Sequence, residues 1–447
     1  MSTSIIRERQ RTFGNYGHTL NHRQAISPDG RWAVYDTRND DAHIARTDSV
    51  EMVNIDSGEI VRLYKTPTTA LHGPGVGAVA FHPLASRVVF IHGLETCSPE
   101  NPYSAARRFG AIVDIEAPGK FVHSEARSIP RVEGERVRAF GALSGGTHAH
   151  SWNQDGWLSF TYNDAWLERV ARTDPSVRDQ RTIGFMVPGM QFEIHARAID
   201  ALDGENFSGS FGAFLAANVC ASAKNGSDDI EQAVEECWVG SHGYVDQLGQ
   251  RHAYSLACLG AVRSDTGTLI NEIFLCDLLS AMELSDRMAL PGEFGPSELL
   301  KPMVGCTQRR LTRTMDRKFP GVQGPRNWLV SSPDGKYLFA PMRDERGIVQ
   351  VFRVATAGGN VEQITDLEQS IEGQISIDSR GSACSFICDQ RICIVDVATG
   401  QAVWLTEKKE GRLCGAIHFL GEHQLIFNRY VGTGSDLLVQ VIVCNRN

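Results

Sequence analysis

His148 and His150 flank a single alanine in the phrase GGTHAHSW. Residues two apart on a strand point to one side, so both imidazoles are expected on a common face. Such a pair could hold a divalent ion (manganese, zinc, calcium or iron) or simply donate hydrogen bonds to loop carbonyls. His92 closes RVVFIHG and Asp164 closes WLSFTYND, and they are candidates for a general base and its orienting partner. His242, in WVGSH, is a second candidate base. Arg38, Arg326, Arg343 and Arg429, with Asn163, are candidates to hold a carboxylate or phosphate by paired hydrogen bonds. Ser241 precedes His242 without a G-x-S-x-G elbow, which argues against a serine nucleophile.

A repeat must position these residues. An apolar lead-in, an S-P-D-G-like turn and an alternating strand recur along the chain. Ser27-Pro28-Asp29-Gly30 precedes RWAVYDTRND, HSWNQDG precedes WLSFTYND, and VSSPDG precedes KYLFAPMRD. Proline presets φ in such a turn, and Asp and Gly tolerate the geometry that follows. Second hairpins follow, in VNIDSGEIVRLY, FRVATAGGNVEQIT and CIVDVATGQAVWLT. Two hairpins make four antiparallel strands, which is one propeller blade.

Lead-ins near 24, 78, 150, 328, 374 and 416, with one degraded repeat in 205–290, predict seven blades, six being the alternative. The expected fold is thus an all-β, single-domain propeller over residues 1–447, its last blade completed by an N-terminal strand. Insertions within 165–325 are expected to cover the channel mouth, with a short helix over GSDDIEQAVEECW. Inner strands start at the mouth and second strands end there. The candidate residues, distant in sequence, should therefore gather at one rim.

Composition narrows the partners. A formal net charge of -9 argues against nucleic acid or an anionic membrane held by bulk electrostatics. The N-terminal stretch MSTSIIRERQRTFGNYGHT lacks an apolar run of signal-peptide length, so a cytoplasmic location is expected. The 11 cysteines read as buried free thiols. Cys384, Cys388 and Cys393 lack a second cluster at zinc spacing, and GPGVGA lacks a Walker lysine.

The blade phrases resemble TolB-like (PD40) repeats. More specifically, GGTHAHSWNQDGWLSFTYND, GSDDIEQAVEECWVGSH, QRRLTRT and PRNWLVSSPDGKYLFAPMRDERGIVQVF resemble the bacterial YidR family of propellers, nearly end to end. That resemblance implies the fold and no reaction. The H-x-H phrase is also similar to one in oligogalacturonate lyases, seven-bladed propellers that cleave acidic sugars by β-elimination with a divalent metal at the mouth. Only His148 and His150 match it; the glutamine expected three residues before the first histidine is Gly145 here.

Two readings follow. In one, a metal-assisted lyase acts on a small acidic saccharide, the ion held by His148 and His150, with His242 or His92 as base. In the other, the rim docks a protein or small ligand without chemistry.

Overall fold

The S-P-D-G phrases close the same turn in different blades. Ser27 Oγ donates to Asp29 Oδ1 at 2.5 Å and accepts the Trp32 N–H at 2.9 Å. Ser332 repeats both bonds with Asp334 and Tyr337, at 2.7 and 3.0 Å. Gly30 completes the first turn at φ 70°, in the left-handed region where a side chain is costly.

In this computed structural model, which describes residues 8–40, 43–68, 70–129, 141–178, 180–192, 204–286, 301–325, 328–409 and 411–445, these hairpins build seven four-stranded sheets. The sheets surround one axis as the blades of a seven-bladed β-propeller. The last blade takes three strands from the C-terminal end, Leu413–Leu420, Gln424–Val431 and Leu438–Asn445. Its fourth is Glu8–Gln10, paired antiparallel with Ile442–Cys444. Arg429 Nη2 donates to Glu8 Oε1 at 3.0 Å across that seam. The closure brings the two ends of the chain together and gives the outer edge of the last blade a partner.

Between blades the core is aromatic. Tyr35, Phe81, Phe90, Phe160, Phe185, Phe274, Phe339, Phe386 and Phe427 are fully buried. Each such side chain contributes roughly 1.5–3 kcal/mol by leaving water. All eleven cysteines are free thiols, and Cys384, Cys388 and Cys393 pack inside blade 6.

The middle of the chain departs from the sequence reading. GAFLAANV does not open a blade; Gly209–Leu215 is the outer strand of blade 3. The helix expected over GSDDIEQAVEECW is instead the inner strand of blade 4, Ala233–Trp238. A bulge between Val234 and Cys237 inserts an extra residue, with Glu235 at φ 58°. That insertion puts apolar residues at helix-like spacing on a strand. The helices of this region lie elsewhere. Ala165–Ala171 follows Asp164, which pairs with Gly145 at the end where inner strands begin. Ala281–Asp286 follows Asp277, whose partner Ser255 lies at the opposite end.

Several imidazoles are packed into this core. His92, His150 and His418 are at most 8% exposed, and burial pushes their pKa values down to about 4, about 3 and about 4. The unfolded chain then binds more protons below its ordinary histidine pKa near 6.5. Their contribution is therefore complete above about pH 6.5 and is lost as pH falls toward 4. Urea unfolding should show stability dropping across that window by up to about 1.4 kcal/mol per pH unit for each histidine. A flat profile between pH 6.5 and 4.5 would contradict their burial in neutral form.

Candidate functional site at the channel mouth

Seven inner strands crowd one axis, and four of them bulge. The register shifts lie at Gly77/Ala80, His148/Ser151, Val234/Cys237 and Cys414/His418. Each contains a left-handed residue: Ala78 at φ 54°, Ala149 at 59°, Glu235 at 58° and Gly415 at 72°. A non-glycine residue held this way costs about 1–3 kcal/mol, and such strain persists where surrounding structure enforces it.

The bulge at Ala149 decides the fate of the histidine pair. His148 lines the mouth cavity. His150 is 1% exposed and does not line it; its Nε2 lies 2.9 Å from Thr147 Oγ1. Thr147 in turn donates to Glu125, a fully buried carboxyl whose pKa burial raises. Only glycine fits at Gly110 in blade 2, where a Cβ would sit 2.9 Å from His150 Nε2. The expected common face is absent because the extra residue breaks the alternation. Among the described residues, no three His, Cys, Asp or Glu side chains gather as a metal-binding group. The residues present at this position do not fit the divalent ion the H-x-H phrase suggested.

Side chains of blade 1 reach across the axis to other blades. Arg23, in blade 1, donates to the Glu236 carbonyl of blade 4, and to the Leu329 carbonyl of blade 5 at 2.9 Å. His22 stacks on Trp328 with ring centroids 3.9 Å apart. Gln24 exchanges two hydrogen bonds with the Trp152 backbone, at 2.8 and 2.9 Å. On the mouth side lies a cavity of about 740 Å³; on the side of the S-P-D-G turns lies one of about 530 Å³.

The mouth cavity is cationic around His148. Arg38, Arg108, Arg181 and Arg412 line it, against Asp40 and Glu372. Arg38 is committed to Asp36 by two bonds of 2.7 and 2.9 Å. Glu372 is held by Gln390. Among the described residues, no carboxylate lies within 4.0 Å of Arg108 or Arg181, the ion-pair distance met elsewhere in the chain. The Arg108 guanidinium lies 5.2 Å from the Tyr103 ring, and burial lowers its pKa. The Tyr103 hydroxyl is buried without a partner, and its phenol is raised by burial. Burial first, then Arg108 and Arg181, hold the His148 pKa well below the histidine value. His148 is therefore neutral at pH 7. The arrangement suits an anion placed against two unpaired guanidinium groups, beside a neutral imidazole and a protonated phenol.

The other sequence candidates are scattered. His92 is enclosed, its Nε2 3.0 Å from Tyr64 Oη and its ring 5.0 Å from that of Phe109. Asp164 caps the helix Ala165–Ala171, accepting from the Trp166 and Leu167 N–H groups at 2.9 and 3.0 Å. Asn163 is buried opposite Gly146. Arg429 is spent on Glu8 and the Gly411 carbonyl. Arg343 is exposed beside Phe319. His242 lies on the far face, next to Ser241, whose N–H bonds the Pro333 carbonyl. It emerges there because Ala233–Trp238 is itself the strand that crosses from mouth to far face. Arg326 lies outside the described residues.

Sequence reasoning missed Tyr103, Arg108 and Arg181. They belong to connections between second and third strands, which also return to the mouth: Arg108 pairs with Gly93, and Arg181 precedes Thr182–Phe192. The unusual length of 94–107 and 165–181 was the available signal.

A 31% identical relative covers 408 residues, 89% of each chain: the uncharacterised protein YidR of Escherichia coli strain K12. The chain belongs to the YidR family. Residues 75–198 also match a family described as protein of unknown function (DUF3748). Among solved structures, oligogalacturonate lyase from Vibrio parahaemolyticus superposes with a TM-score of 0.52 at 8% identity, covering 99% of this chain and 98% of that one. An oligogalacturonate lyase in complex with manganese gives 0.52 at 9%, covering 100% and 96%. A puromycin hydrolase gives 0.51 at 11%, covering 94% of this chain, which spans only 51% of that longer one. At these identities the likeness is one of fold.

The bulge is testable. Ala149→Val puts a β-branched residue in a left-handed position and should cost about 2 kcal/mol or more in chemical denaturation. His148→Asn, at the cavity wall, should cost under about 1 kcal/mol. Equal costs would contradict the split roles of this segment.

Proposed function

We propose that the mouth cavity binds a small acidic saccharide by its carboxylate and cleaves it by β-elimination. One observation carries this reading: Arg108 and Arg181, without carboxylate partners among the described residues, flank His148 inside the cavity. Two propellers of the same fold are by name oligogalacturonate lyases, which supports an acidic sugar as ligand class.

The chemistry follows from charge. A carboxylate between two guanidinium groups loses much of its negative charge, so the neighbouring C–H becomes more acidic. His148, neutral when the site is empty, accepts that proton. The arriving anion offsets the field of the two arginines and raises the basicity of the imidazole. Electrons from the broken C–H bond form the C=C bond as the glycosidic C–O bond breaks. Tyr103, kept protonated, supplies a proton to the departing oxygen. The arginines occupy the electrostatic role assigned to a metal in the sequence reading, and no step here requires one.

Titration calorimetry with trigalacturonate tests the clamp. Arg108→Gln and Arg181→Gln should each weaken binding at least about tenfold, and added salt should weaken wild-type binding. His148→Asn should retain binding and lose the ultraviolet absorbance of the unsaturated product. Wild-type turnover should survive a chelator. Binding without turnover would replace the enzyme by a ligand-binding propeller; no binding would refute the site.

A further inference from the structure

The proposed elimination leaves one cation of the mouth cavity unused. Arg412 lines it at the start of Leu413–Leu420, the inner strand of the last blade. Among the described residues it makes no ion pair, unlike the cations around it. Lys408 is paired with Asp389 at 2.6 Å, Lys409 with Glu8 at 3.2 Å and Arg429 with Glu8 at 3.0 Å. Two carboxylates share the cavity wall, and both are engaged. Asp40 bonds His43 at 2.7 Å, and Glu372 is held by Gln390.

Tyr430 braces Arg412 inside the cavity. Its N–H bonds the Arg412 carbonyl at 2.9 Å, and its ring lies 5.1 Å from the guanidinium. The Tyr430 hydroxyl is itself tied to the Asn39 carbonyl at 3.0 Å. A cation resting on a fixed aromatic face loses less freedom when it takes a carboxylate.

Position matters as much as charge. Successive blades are neighbours round the axis, and the last touches the first. Arg181 belongs to blade 3 and Arg412 to blade 7, so three of seven steps (7 to 1, 1 to 2, 2 to 3) separate them. They stand nearly opposite across the mouth. A carboxylate seated between Arg108 and Arg181 therefore leaves Arg412 unmet on the far wall. Arg412 is exposed, so water satisfies it while the site is empty. Once one acid group is held, contact with a second on the same molecule is intramolecular, and a modest attraction then adds to affinity.

We infer that Arg412 binds a second acid group of the same ligand, so the mouth selects saccharides with carboxylates on at least two units over a single acidic sugar. This rests on the carboxylate site proposed at Arg108 and Arg181 and adds the length and charge of its ligand.

The test is titration calorimetry of the full chain with galacturonate, digalacturonate and trigalacturonate, by displacement where binding is weak. The wild type should bind at least one oligomer more tightly than galacturonate. Arg412→Gln should weaken that oligomer about fivefold, the upper end for an exposed ion pair, and leave galacturonate unchanged. Arg412→Lys should recover part of the loss, and added salt should shrink the difference between wild type and Arg412→Gln. Far-UV circular dichroism confirms that each variant is folded. Unchanged oligomer affinity in Arg412→Gln, with binding still lost in Arg108→Gln, would overturn the inference and leave the first site standing. So would an equal loss for galacturonate and the oligomers. Failure of all three acids to bind the wild type would refute the first site, and this inference with it.

Discussion

The guanidinium of Arg23 spans the propeller axis and joins blade 1 to backbone carbonyls of blades 4 and 5. Two cavities face opposite ends of the molecule. A cation at the centre of a ring is costly unless it is paired or hydrogen-bonded. Here carbonyl oxygens, the Trp328 ring at 5.4 Å and the buried carboxyls of Glu235 and Glu236 share that task. Burial raises the Glu236 pKa even beside Arg23.

The second constraint is crowding. Strands converging on an axis cannot all keep regular pleats, and bulges take up the mismatch while redirecting side chains. Ala78, Ala149, Glu235 and Gly415 mark the positions where this happens. The bulge at Ala149 puts His148 on the wall of the mouth cavity and His150 in the blade interface, so the two imidazoles do not share a face.

Much of the fold was legible in the sequence because turns and alternation are local. The S-P-D-G phrases, the blade number and the strand exchanged at the N-terminus all follow from short-range patterns and the need to remove edges. Bulges are not local in that sense. They arise from packing around the axis, so apolar residues fall at helix-like spacing over GSDDIEQAVEECW where the chain forms the strand Ala233–Trp238, and His242 comes out on the face opposite to the expected one. The site was legible only in outline. Topology predicts Arg38 and His148 at the channel mouth, and both line its cavity. Arg108 and Arg181 escaped because the rim was built from first and second strands only. Asp164, His92 and Arg429 were attractive as chemistry, but helix capping, aromatic packing and ring closure use them instead.

The most direct measurement is a crystal structure of the chain with trigalacturonate bound. The account predicts one carboxylate between the Arg108 and Arg181 guanidinium groups, its neighbouring C–H facing His148, with His150 still bonded to Thr147. A sugar bound elsewhere, or held through an ion that His148 and His150 coordinate together, would contradict it.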